Sequence, residues 1–243
     1  MKKNVMMRLA SIMMVLVLMT SSVISGTFAK YVTSGTGSDK ARVAKFGVAV
    51  TAEASMFADG YLKDDESYTL NAYSVYTSED AEHVVAPGTK GDMANIVITG
   101  QPEVAVRVTY DVTKFELTNW VVGVDKEGNE AANTYYCPIA ITVKQGANEK
   151  HFYGMNYASA DAFKADVTKA IESYSKDYQA NTNLATVAED NLDISWSWAF
   201  ENTGNGISFK NSDVQDTALG DAAANGTNIG IELALTCTVT QID

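Results

Sequence analysis

Polar and apolar residues alternate with period two through most of the chain, the period of strands with one buried and one solvated face. From Val104, the residues Val104, Val106, Val108, Tyr110 and Val112 fall on one face, against Ala105, Arg107, Thr109, Asp111 and Thr113 on the other. Near the end, Ile229, Ile231, Leu233, Leu235, Cys237 and Val239 alternate with Glu232, Ala234, Thr236, Thr238 and Thr240. Similar patterns predict strands over 43–51, 68–76, 93–99, 135–144 and 192–200. The first of these is expected to turn Ala44, Phe46, Val48 and Val50 toward a core. Turn residues punctuate the runs, in APGTKGD (86–92), KEGNE (126–130), ENTGNG (201–206) and AANGTN (223–228). Short strands at this spacing predict an all-β fold, an antiparallel sandwich in one domain. One segment follows the helical period instead. In SADAFKADVTKAIESYSKDY (159–178), Phe163, Val167, Ala170, Ile171 and Tyr174 recur on one helical face behind Ser159, whose hydroxyl suits an N-cap. A helical insertion is therefore expected to lie against the sandwich.

The first residues follow neither period. Lys2, Lys3 and Arg8 precede an uninterrupted apolar run over 12–19, and small residues follow over 21–27, the three-part layout of a secretory signal peptide. The charge-free stretch over 9–29 has 21 residues, and a bilayer takes about 20. Ser11, Thr20, Ser21, Ser22, Ser25, Gly26 and Thr27 dilute it, so cleavage after Ala29, or one residue later, is favoured over a retained anchor. The expected layout is a signal helix over 1–29, a polar arm over 30–42 and a β-sandwich domain over 43–243, in a protein secreted to the extracellular matrix or cell surface.

Charge then removes some classes of partner. Of 18 basic residues, Lys2, Lys3 and Arg8 lie in the leader, which leaves 15 against 30 acidic ones and a mature formal charge of −15. Such a surface repels nucleic acid and anionic lipid, so no nucleic-acid partner is expected, and membrane contact only through the uncleaved leader. Two cysteines in an exported chain allow one disulfide. Cys137 and Cys237 both sit in strand patterns, beside Ile139 and Ile141 and beside Leu235 and Val239, where they read as buried free thiols packing as small hydrophobes.

Candidate chemistry is sparse. The chain has 2 histidines, His83 before a turn and His151 at the start of a short strand pattern, whereas zinc catalysis takes three protein ligands. No phosphate loop, dinucleotide glycine motif or nucleophile elbow occurs, and no catalytic residue, cofactor or metal is expected. Asp64, Asp65 and Glu66, and the acids of DKEGNE (125–130), offer oxygen ligands, but not at the spacing of an EF-hand loop. Ile194, Trp196, Trp198 and Phe200 could form a sugar-stacking platform; their strict alternation with Ser195, Ser197 and Ala199 reads as core.

Several segments together resemble the TasA/camelysin family of exported Gram-positive proteins, which are processed by a dedicated signal peptidase. They are GTFAKYVTS at the leader junction, ARVAKFGVAV, VVAPGTKGD, ISWSWAFE, DTALGDAAANGT and the terminal LTCTVTQID. The resemblance runs over nearly the whole chain. It implies a jelly-roll-like β-sandwich with a helical insertion, and a role as a structural subunit of extracellular biofilm matrix fibres. One branch of that family is described as a surface metalloprotease, a role that the ligand-poor sequence here does not support. It also implies assembly in which the N-terminal arm, through Tyr31, Val32, Thr33 and Ser34, adds as a strand to the next subunit. With no sorting motif, hydrophobic tail or basic end before Asp243, the secreted chain is expected to be held by other subunits or by other matrix or cell-surface proteins. A monomeric adhesin or glycan-binding sandwich is the alternative.

Overall fold

The computed structural model describes residues 42–52, 56–57, 60–62, 73–76, 83–92, 96–187, 192–199 and 212–242. The expected leader, the arm residues Tyr31, Val32, Thr33 and Ser34, the acids Asp64, Asp65 and Glu66, Phe200 and the turn over 201–206 lie outside them. All of the elements fall within Ala44–Asp243, the second of two compact units.

The described chain is mostly strand and every pairing is antiparallel, as the alternation predicts; two helices interrupt it, of which only the first lies in the segment expected to be helical. In order the elements are β1 (Val48–Ala52), β2 (Gly60–Leu62), β3 (Tyr73–Tyr76), β4 (Lys90–Asp92), β5 (Ile96–Gly100), β6 (Val106–Thr118), β7 (Val121–Val124), β8 (Glu130–Tyr135), β9 (Ile139–Gln145), β10 (Asn148–Tyr153), α1 (Ala160–Glu172), β11 (Ser175–Tyr178), β12 (Leu192–Trp198), α2 (Asp213–Ala224) and β13 (Gly230–Gln241). Two sheets carry the core, ordered β11-β6-β13 and β10-β9-β12-β4. Three two-stranded ribbons, β1-β5, β2-β3 and β7-β8, accompany them.

The core lies between the inner faces of these two sheets. Val106, Val108 and Tyr110 from β6, Ile139, Ile141 and Val143 from β9, and Ile194, Trp196 and Trp198 from β12 are all buried in one cluster. A hydrogen bond joins the sheets directly, from the Leu192 amide on β12 to Tyr110 Oη on β6 at 3.2 Å. The aromatic stripe of β12 is thus core, as its alternation implies, and each buried indole nitrogen finds an acceptor. Trp196 Nε1 donates to the Met56 carbonyl at 2.6 Å, and Trp198 Nε1 to Asp216 Oδ2 at 3.3 Å. Gly91 on β4 permits the first contact, because a Cβ there would sit 2.7 Å from Trp196 Nε1.

Strand β6 is longer than its alternation suggested. Its ladder with β13 shifts register between Ala234, opposite Lys114, and Leu235, opposite Val112, so Thr113 is an extra residue. This bulge moves the inward positions from Val108, Tyr110 and Val112 to Phe115 and Leu117. Helix α1 then covers that end of the sheet. Ser159 Oγ accepts the Ala162 amide at 3.3 Å, and Phe163, Val167, Ala170 and Ile171 are buried, with Phe163 edge-on to Phe115 at 6.0 Å.

Four expectations need correction. The segment over 159–178 is not helical throughout: α1 stops at Glu172, and Ser175–Tyr178 forms β11 against β6, where Arg107 grips Asp177 with two bonds of 2.6 and 2.7 Å. The strand expected over 135–144 is split, since Pro138 has no amide to give a ladder, and β8 ends before it. Cys137 therefore sits between strands, fully buried, while Cys237 on β13 is only half-buried; both are free thiols. Finally, Ala44, Phe46 and Val50 do not face a core. Phe46 is 41% and Val50 38% exposed, and only Val48 packs against the core cluster. Alternation distinguishes two faces, but among the described residues β1 pairs only with β5, and the buried partner in that ribbon is Ile98.

Candidate functional site

The predicted chemistry does not assemble into a centre. His83 is exposed before β4, and His151 is exposed on β10, where Thr142 Oγ1 lies 2.9 Å from Nδ1 and Glu149 Oε1 3.3 Å from Nε2. Among the described residues no three His, Cys, Asp or Glu side chains converge on a point that could hold a metal ion. Burial raises the Cys137 thiol to about 12 and the Cys237 thiol to about 11, so both stay protonated and unreactive near neutral pH. In the β7–β8 turn the Asp125 carboxylate is occupied by the turn itself: its Oδ1 accepts the amides of Glu127 at 3.0 Å and Asn129 at 2.8 Å.

What the fold leaves open is backbone. Among the described strands β13 pairs on one side only, with β6, and it runs for 12 residues. In the two core sheets the other edge strands are short or charged: β4 has 3 residues, β11 has 4 with Lys176 and Asp177, and β10 has 6 with Glu149 and Lys150. Natural edges are blunted by these devices, because an unpaired row of N–H and C=O groups recruits another strand. Strand β13, GIELALTCTVTQ, has neither device; Glu232 is its single charge, and Lys114 neutralises it at 2.8 Å.

A cleft of about 770 Å³ runs beside the first half of β13. Met56, Phe57, Val84 and Val85 form its apolar side, with His83 at the rim, and Ile229 to Leu233 form the other. The end wall comes from the α2 terminus, at Ala223 and Gly226 to Asn228. Comparison with family models, curated proteins and solved structures finds no match. The physical character of the cleft therefore has to speak for itself: main-chain donors and acceptors on one side, apolar side chains on the other, and no convergent charge. Those are the requirements of an extended peptide, whose backbone pairs with the edge while alternate side chains enter pockets.

One end of this site is fastened from below. Trp120 Nε1 donates to the Gly230 carbonyl at 2.8 Å, Asn119 Nδ2 to the Asn228 carbonyl at 2.7 Å, and the Trp120 ring packs on Trp198 at 5.6 Å. Beneath α2, Asp216 Oδ1 accepts from Tyr136 Oη at 2.6 Å. Neither this buried carboxylate nor α2 stands out by apolar period. The available signal was local: Ser212 followed three residues later by Gln215 is a capping-box spacing, and Ser212 Oγ does accept the Gln215 amide at 3.4 Å.

Proposed function

We propose that the chain is a secreted structural subunit of extracellular matrix fibres, with a jelly-roll-like sandwich, and that subunits join head-to-tail by strand addition. The arm of one copy, residues 30–42 with Tyr31, Val32, Thr33 and Ser34, pairs with the open edge of β13 in the next. The observation that carries this reading is the long, nearly uncharged β13 edge beside an apolar-walled cleft. Tyr31 and Val32 are the apolar anchors of an otherwise polar arm, and the cleft offers Met56, Phe57, Val84 and Val85 to receive them. A contact between two different surfaces of one chain does not close on itself, so it propagates as a filament. Removal of the leader frees the arm, which ties assembly to export, and other matrix or surface proteins with a similar free arm could dock on a terminal β13.

The adhesin reading gains little from the site, since Trp196 and Trp198, the stacking faces it would use, are 2% and 5% exposed. Negative-stain microscopy tests the proposal. Mature protein beginning at Lys30 should form filaments, and protein lacking residues 31–38 should remain a folded monomer by circular dichroism and sedimentation. Filaments of unchanged form from the shortened protein would rule out arm donation.

A further inference from the structure

Successive residues of a strand turn their main-chain groups to opposite sides, so a single bond fixes the sense of a whole edge. Ile242 follows directly on the ladder that pairs Gln241 with Val106, and its amide donates to the facing Ala105 carbonyl at 2.9 Å. Ile242 therefore turns toward β6, as do the even-numbered residues of β13 before it. Two further bonds agree. The Gly230 carbonyl is taken by Trp120 Nε1, which follows β6, and the Val112 amide, opposite Leu235, turns away from β13 to Glu172 Oε1 at 3.3 Å. The bulge adds its residue to β6, so the alternation of β13 runs unbroken. The main-chain groups that turn away from β6 are those of Ile231, Leu233, Leu235, Cys237, Val239 and Gln241.

The same odd-numbered residues carry the core face. Leu233 is buried and Ile231, Leu235, Cys237 and Val239 pack against the core cluster, whereas Glu232, Thr236, Thr238 and Thr240 are exposed on the outer face. Met56 belongs to that cluster, and Phe57 and Val85 pack against it, so the apolar wall of the cleft lies on the core side of the sheet. Residues directly opposite each other on neighbouring strands send their side chains to one face. A strand added to this edge therefore turns every second side chain toward Met56, Phe57 and Val85, and the others to the solvated side. We propose that the cleft selects one face of an extended peptide, a large apolar side chain opposite Ile231 or Leu233 with small residues two and four positions on, and that in the arm this anchor is Tyr31, with Val32 left outside. Alternation divides the arm into Tyr31, Thr33, Gly35 and Gly37 on one face and Val32, Ser34, Thr36 and Ser38 on the other. The first face offers an aromatic ring to a cleft of about 770 Å³ and asks for no second large pocket. His83, Thr227 and Asn228 among the lining residues can meet its phenol hydroxyl. The second face would turn three hydroxyls toward an apolar wall, which is penalised unless each finds a partner. This selection rests on the strand-addition proposal and names the side chain which that contact reads.

Photo-cross-linking of the mature chain beginning at Lys30 tests the selection, with p-benzoylphenylalanine replacing Tyr31 in one variant and Val32 in another, and circular dichroism to show that each is folded. Links between copies should run from position 31 to Met56, Val84 or Val85, and from position 32 to the outer face of β13, at Glu232 or Ala234. Links from position 32 to Met56, with none from position 31, would overturn the selection while upholding strand addition. Links from neither position to the cleft or to β13 would remove strand addition itself, and the selection with it. Truncation gives a second measure. Tyr31→Ala should raise the critical concentration for filaments about tenfold or more, as loss of a central interface anchor does, and Val32→Ala by less than about fivefold. Equal effects of the two substitutions, or the reverse order, would overturn the selection.

Discussion

The two helices begin alike and are anchored by opposite means. Both have a serine N-cap, Ser159 for α1 and Ser212 for α2, and both place an aspartate in the first turn, favourable to the helix dipole. Helix α1 then buries Phe163, Val167, Ala170 and Ile171, carries Lys169 in its last turn, and is continuous with the core. Helix α2 buries Leu219 as its one apolar anchor, after the two polar ones Gln215 and Asp216, and has no cation in its last turn. Apolar anchoring is insensitive to solution conditions near neutrality, whereas anchoring through a carboxylate depends on its protonation. One helix is therefore joined to the sandwich by apolar packing, and the other mainly by buried polar groups.

The largest break in this comparison comes from α1. Phe163→Ala should destabilise the whole domain by about 3–5 kcal/mol in denaturant unfolding, the usual cost of emptying a large buried aromatic site. Leu219→Ala removes the apolar anchor of α2 and should cost about 2–3 kcal/mol, seen as faster exchange of α2 amides with the β9 amides unaffected. A cooperative loss of stability equal to that of Phe163→Ala would make α2 part of the core and erase the distinction. The smallest effect sharpens the comparison from the other side. Gly220→Ala meets nothing within 4 Å, so it should raise α2 protection by about 0.5–1 kcal/mol through helix propensity alone. Unchanged α2 exchange in that variant would mean that packing, not the intrinsic weakness of the helix, limits its docking.

Much of the fold was legible because period two reports burial wherever a second layer is present. The faces of β6 up to Val112, of β12 and of β13 are as alternation predicts, and so are the N-cap and buried stripe of α1. Where it misled, the cause was tertiary. Phe46 and Val50 alternate like core residues, yet among the described residues no sheet covers them. The bulge at Thr113 was visible in principle as a three-residue step from Val112 to Phe115 between apolar positions. Helix α2 escaped because its anchors, Gln215 and Asp216, are polar and leave no apolar period. The candidate site was half legible: β13 could be recognised as a strand, but an edge and a central strand alternate alike, and only topology shows that among the described strands one side has no partner. Its poverty in charge, Glu232 alone, was the one local sign.

Assembly by strand addition requires that β13 receive a strand. Hydrogen exchange of β13 amides, compared between assembled mature protein and protein lacking residues 31–38, measures this at the site. Donation to the edge predicts that the alternate amides over 230–241 that do not face β6 become strongly protected on assembly, while the amides of β9, paired on both sides, change little. Assembled protein whose β13 amides exchange as fast as those of the shortened monomer would contradict it and place the subunit contact elsewhere.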